Sequence, residues 1–116
     1  MNPNALFVVT SDPRTSPRPA EAVRIAAGIA VWKRVGVTVY LRHRAVLALG
    51  EFSDELVDGE NFSRYLPLVP ESGGLICTQR DAAALGEIGQ SPIPFREIGD
   101  DELARQAAQA DYVIRF

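Results

Sequence analysis

Five apolar residues without a polar break, Ala5-Leu6-Phe7-Val8-Val9, run into a segment that can neither extend a strand nor form a helix interior. That segment, from Thr10 to Pro19, carries three prolines among hydroxyl and charged residues, and each proline fixes φ and removes a donor. A run of strand length with no alternation belongs to a strand covered on both faces. From Ala20 to Val35 the residues favour helix, with Pro17 and Pro19 near the start and Gly36 at the stop. Val37-Thr38-Val39-Tyr40-Leu41 follows at once as a β-branched strand. Strand, helix and strand joined by short connections predict a right-handed βαβ unit with a parallel pair.

The rest of the chain repeats the theme. A short apolar helix is predicted over Ala45 to Leu49, closed by Gly50, then an acidic surface stretch to Gly59 and a helical turn or two from Glu60 to Leu66, ended by Pro67. Gly73-Gly74-Leu75-Ile76-Cys77 reads as the third strand, and Asp81 to Gly86 as a small helix behind it, with Thr78 or Asp81 as its cap. Pro94 to Ile98 fits a brief edge strand, Glu102 to Gln109 a helix capped by Gly99-Asp100-Asp101, and Tyr112 to Phe116 a closing strand. Strands alternating with helices at this spacing predict one three-layer α/β domain over residues 1–116. A chain of this size buries roughly two thirds of the surface it exposes when unfolded, so it needs no metal or disulfide to fold.

The helix from Ala20 to Val35 is apolar on most sides, with only Arg24 and Gly28 interrupting Ala22 to Trp32. A helix on one face of a sheet needs only a stripe, so this breadth predicts a second cover from another subunit, a homo-oligomer. Nucleic acid is excluded as a partner, because 15 acidic and 12 basic residues are interspersed and leave no basic stripe. The N-terminus lacks the features of a secretory signal and no apolar run is long enough to span a membrane. With one cysteine, and therefore no internal disulfide, these features predict a cytoplasmic protein.

In an open parallel sheet, ligands bind outside the carboxyl ends of the strands. Those ends carry Thr10-Ser11-Asp12, Arg42-His43-Arg44 and Cys77-Thr78-Gln79-Arg80, so topology alone predicts a rim holding the cysteine, the histidine and three arginines. Cys77 is the candidate catalytic residue, with Asp12, His43 and Arg80 as candidate binding residues. A thiol near a helix N-terminus and cationic groups is expected to have a lowered pKa, since both favour the thiolate. The plain alternative for Cys77 is a small buried hydrophobe, and for the histidine and arginines a solvated loop and surface charge. The hydroxyls at Thr10, Ser11, Thr15 and Ser16 lack the glycines that let a backbone cradle a phosphate. A second, resolving cysteine is absent, which argues against a thioredoxin-like redox cycle.

The first strand with its polar loop, the alanine-rich helix, Val37 to Leu41, Leu75-Ile76-Cys77 leading into Gln79-Arg80, and the Ala110-Asp111-Tyr112-Val113 close together resemble the DsrE-like (DsrE/DsrF/DsrH, TusD) proteins of bacterial sulfur relay. The resemblance implies a flavodoxin-like, mostly parallel sheet of five strands and trimeric or hexameric assembly. It also implies that Cys77 holds sulfane sulfur as a persulfide, passed between donor and acceptor proteins without a cofactor. A non-catalytic oligomeric scaffold of the same fold, with a structural Cys77, is the alternative. A small-molecule site at the rim is a third reading.

Overall fold

The computed structural model describes residues 2–116. Strand β1 (Asn4–Val9) leads to helix α1 (Arg18–Trp32) and strand β2 (Gly36–Leu41), followed by two 3-10 helices at His43–Leu49 and Ser53–Glu55. Helices α2 (Glu60–Tyr65) and α3 (Leu68–Glu71) precede strand β3 (Leu75–Gln79). A 3-10 helix at Ala83–Glu87, strand β4 (Arg96–Ile98), helix α4 (Asp100–Gln109) and strand β5 (Tyr112–Arg115) complete the chain. The five strands form one sheet in the order β4-β3-β2-β1-β5, and every neighbouring pair is parallel. This is the expected three-layer, flavodoxin-like α/β architecture.

Handedness decides which connection lies on which face. From β1 to β4 the chain steps across the sheet in one direction, so right-handed crossovers put α1, α2, α3 and the 3-10 helices on a single face. The step from β4 to β5 returns across the whole sheet, and the same rule places α4 alone on the other face. On the crowded face Ala5, Phe7, Val9, Val37, Val39, Leu41 and Ile76 join the main core. On the α4 face Leu6, Tyr40, Cys77 and Ile98 form a second, smaller core, covered by Leu103, Ala107 and Ala110. Both sides of β1 and β2 thus face a core, which is why Ala5 to Val9 shows no alternation.

Helix α1 ends sooner than the sequence pattern predicts. Lys33 closes it in the left-handed region (φ 61°), and its N–H donates to the Ala30 carbonyl at 3.1 Å. Gly36 opens β2 instead of capping the helix. The breadth of α1's apolar surface also has an answer within the chain. The sheet covers one side and α2 with α3 cover another, burying Ala20, Ala22, Val23, Ala26, Ala27 and Ala30. Only Val31 and Trp32, at its last turn, are large apolar residues left exposed. The breadth of its apolar surface is thus largely accounted for within the chain, with Val31 and Trp32 the exposed remainder.

Two further differences have local causes. Helix α3 forms where Pro67 and Pro70 look like breakers. Pro67 only precedes it, and Pro70 falls in its first turn, where the backbone N–H has no intrahelical acceptor in any case. The 3-10 helix at Ala83–Glu87 is reached through Ala82 with no side-chain cap, so neither Thr78 nor Asp81 serves as one. Among the described residues no helix is long and apolar enough to cross a membrane.

Candidate functional site

Strand β3 does not stop at Cys77. Thr78 pairs with Leu41 and Glu97, and Gln79 with Ile98, so the polar residues after the cysteine continue the ladder. Cys77 therefore sits mid-strand, not at the rim. Its register partners are Tyr40 on β2 and Arg96 on β4, which share its face of the sheet. The thiol is fully buried, in the core beneath α4.

The environment of the thiol is mixed. Burial pushes its pKa up, against the depression expected from the sequence, because an apolar surround disfavours the thiolate. Arg96 and the Gln106 amide act in the opposite direction by charge and hydrogen bonding, while Glu102 adds to the increase. Desolvation outweighs them. Arg96, Glu102 and Gln106 also line a cavity of about 310 Å³ between α4 and the sheet, with Asn4, Thr38 and Leu75. These last residues lie toward the amino-terminal ends of their strands, so the cavity sits at the end of the sheet opposite the expected rim, and Cys77 itself is not part of its lining.

The charged wall of this cavity is organised from α4. Glu102 accepts from Arg105 Nη2 at 2.6 Å and from Gln106 Nε2 at 3.4 Å, and it faces Arg96 at 3.9 Å. Its carboxyl is held below the usual range, chiefly by the Arg105 bond. Gln106 Oε1 is buried with no partner. At its first residue α4 is tied by Asp100 to Arg42 Nη1 at 3.0 Å, and the same nitrogen donates to the buried Tyr40 hydroxyl at 2.8 Å. No residue of α4 itself is fully buried. The helix is a thin cover over the thiol.

The carboxyl-end rim brings together only part of the predicted set. His43 takes the left-handed region (φ 54°) and its N–H donates to Gln79 Oε1 at 3.0 Å. Asp81 is also left-handed (φ 59°), and its N–H donates to Glu97 Oε1 at 3.3 Å. His43, Arg44, Gln79 and Asp81 line an open hollow of about 220 Å³. Cys77, Asp12 and Arg80 are not part of its lining. Asp12 is held by Arg14, with Nη2 at 2.8 Å and the backbone N–H at 3.0 Å, and that side-chain bond is the main cause of its lowered pKa. Arg44 pairs with Glu87, and Arg80 lies over Gly99, its Nη1 3.2 Å from where a Cβ would stand. The four predicted residues occupy separate environments.

Arg96, Glu102 and Gln106 escape a reading of the sequence because their placement depends on strand register. A signal for Gln106 exists in the stripe Leu103, Ala107 and Ala110, which fixes the sheet-facing side of α4. Arg96 comes beside Cys77 only through the β3–β4 pairing, which a three-residue strand between proline and glycine does not announce. Among the described residues no group of three or more His, Cys, Asp or Glu side chains is placed to hold a metal.

The whole chain superimposes on a crystal structure of the ychN protein from E. coli, covering 100% of both chains with a TM-score of 0.79 at 21% identity. The fold is common to the two. No protein-family model matches the sequence, and neither does any curated protein.

Proposed function

We propose that this chain is a small DsrE-like protein that carries sulfane sulfur on Cys77 within a cytoplasmic relay. The observation that supports the reading best is the setting of the thiol: a cysteine flanked in register by Arg96, next to a cavity lined by Arg96, Glu102 and Gln106. The sequence resemblance and the fold shared with the ychN protein support the same reading. In the step proposed, the Cys77 thiolate attacks the terminal sulfur of a donor persulfide, R–S–SH. The donor S–S bond breaks, R–S⁻ leaves, and Cys77–S–SH remains. Arg96 and Gln106 are placed to favour the anionic forms, and an acceptor thiolate reverses the step. No cofactor takes part, and a trimeric or hexameric assembly accompanies this reading.

Incubation with a low-molecular-weight alkyl persulfide, followed by peptide mass analysis, tests it. A one-sulfur gain confined to the Cys77 peptide and absent from Cys77→Ser is expected. No gain under conditions that label a free thiol would sink the proposal. The second reading, a non-catalytic scaffold, is favoured by the full burial of Cys77 and its raised pKa. Under that reading Cys77→Ser keeps partner binding and cellular role. Under the third reading, a small ligand at the rim would sit in the hollow beside His43, with Asp12 and Arg80 outside it.

A further inference from the structure

Helix α4 covers its face of the sheet alone, and the cover is incomplete. Its ten residues lie over Leu6, Tyr40, Cys77 and Ile98, while the cavity of about 310 Å³ stays open toward the amino-terminal ends of the strands. Leu75 begins β3 there, 48% exposed, and lines the cavity with Ala5 and Ala110. An apolar lining with a few polar groups, at this volume, has the make-up of a small-molecule site.

Three polar groups of the lining are incompletely matched by the fold. Gln106 Oε1 is buried with no partner among the described residues, where a buried amide oxygen ordinarily accepts a hydrogen bond. The Arg96 guanidinium has its one ion pair among the described residues with Glu102, and at 3.9 Å this is too long for a hydrogen bond. Glu102 Oε2 takes Arg105, while Oε1 lies between Gln106 Nε2 and Arg96. A ligand that completes the set accepts from Arg96, donates to Gln106 Oε1 and brings positive charge to Glu102. A plain anion meets Arg96 but is repelled by Glu102, and an apolar molecule leaves all three groups as they are. The zwitterion of an amino acid or short peptide satisfies them together, with a carboxylate for Arg96 and N–H donors for the other two.

We infer that the cavity between α4 and the sheet binds a zwitterionic thiol of amino-acid or short-peptide type, its carboxylate on Arg96 and its N–H groups on Gln106 Oε1 and Glu102. That the ligand carries sulfur rests on the sulfur-carrier reading of Cys77; the recognition of its charged ends does not. Arg96 belongs to both places, opposite Cys77 in register and in the cavity lining, so a carboxylate held there anchors the molecule one strand from the thiol. The ligand then supplies the R group of the donor R–S–SH, and R–S⁻ is the thiolate released when its sulfane sulfur passes to Cys77.

Titration calorimetry on the Cys77→Ser protein, which cannot exchange sulfur, tests the site with reduced glutathione, cysteine, thiosulfate and mercaptoethanol. Glutathione or cysteine should bind, with thiosulfate and the uncharged thiol weaker by about tenfold or more. Tighter binding of glutathione assigns the site to a peptide, and tighter binding of cysteine to the free amino acid. Arg96→Leu should weaken the zwitterion by about tenfold or more, through loss of a charge-assisted hydrogen bond. Glu102→Gln should weaken the zwitterion and strengthen thiosulfate, a reversal that a merely structural role for Glu102 does not produce. Melting curves confirm that each variant is folded. The inference is overturned if neither zwitterion binds at millimolar concentration, if thiosulfate or mercaptoethanol binds as tightly, or if folded Arg96→Leu binds like its parent. The two proposals fail separately. Binding without a sulfur gain on Cys77 in the unsubstituted protein removes the carrier reading alone, and a sulfur gain without binding removes the cavity site alone.

Discussion

Cys77 and Arg96 stand directly opposite one another on adjacent parallel strands, on the face of the sheet that α4 covers. This pairing sets the chemistry of the thiol more than any feature of the rim does. A guanidinium beside a buried sulfur favours the thiolate, yet the apolar surround of Leu6, Tyr40 and Ile98 prevails. The surroundings of the thiol therefore favour its protonated form.

The first prediction concerns pH. With its pKa raised by burial, Cys77 should alkylate slowly at neutral pH, and its rate should keep climbing beyond the range where a free thiol levels off. Arg96→Leu should slow it further. The same shift enters stability: the unfolded thiol ionises first, so the unfolded state binds fewer protons and stability falls as pH rises above the ordinary thiol value. Cys77→Ala should remove that part of the alkaline slope. An alkylation profile that matches a free thiol would contradict the burial.

A second prediction follows from the tie between α4 and the sheet. Tyr40→Phe deletes the acceptor for Arg42 Nη1 inside the core and should cost about 1 kcal/mol in denaturant unfolding. Because Arg42 also holds Asp100 at the start of α4, the cover over Cys77 should loosen and alkylation should speed up. Asp100→Ala breaks an exposed pair and should cost less, in the range of about 0.2–1 kcal/mol. If Tyr40→Phe destabilises the fold without changing thiol access, α4 is not held over the thiol by this link.

The third prediction addresses the loop after β1. Asp12 accepts the Arg14 backbone N–H and its guanidinium, and its pKa is lowered mainly by the latter. The contribution to stability is present above the ordinary carboxylate pKa and is lost as pH falls through the depressed one. The pair is partly exposed, so Asp12→Ala should cost only about 0.5–1 kcal/mol at neutral pH and almost nothing in strong acid. Equilibrium unfolding at both pH values checks this. An equal loss in acid would assign Asp12 a role other than its charge.

Much of the fold is legible in the sequence because burial leaves a strong trace. Ala5 to Val9 carries no polar break since helices cover both faces, Val37 to Leu41 is broken only by Thr38, and the glycines and prolines between them mark the connections. The site is less legible. Thr78 and Gln79 look like the start of a loop, and only their pairing with Leu41 and Ile98 keeps them in β3. That two-residue extension moves Cys77 from the rim to mid-strand and changes its neighbours from His43 to Arg96. Side-chain alternation magnifies the error, since the face a strand residue occupies depends on where the strand pairs.

Glycines at two positions make opposite predictions from the same substitution. Gly74 leads directly into β3, and a Cβ there would stand 2.7 Å from the Val37 carbonyl oxygen, 2.9 Å from Val69 Cγ1 and 3.0 Å from the Val69 carbonyl oxygen. Two of these contacts are backbone and cannot swing away, so Gly74→Ala should destabilise the protein by roughly 1–3 kcal/mol. It should also disturb the strand that carries Cys77. Gly28 lies inside α1, exposed to solvent, and a Cβ added there would meet nothing within 4 Å. Alanine there removes backbone freedom from the unfolded chain and should stabilise by about 0.5–1 kcal/mol. Urea unfolding of the two variants beside the parent measures both, and the signs must differ. A Gly28→Ala protein that loses stability would mean that this face of α1 is occupied in the assembled protein, where the added methyl meets a neighbour.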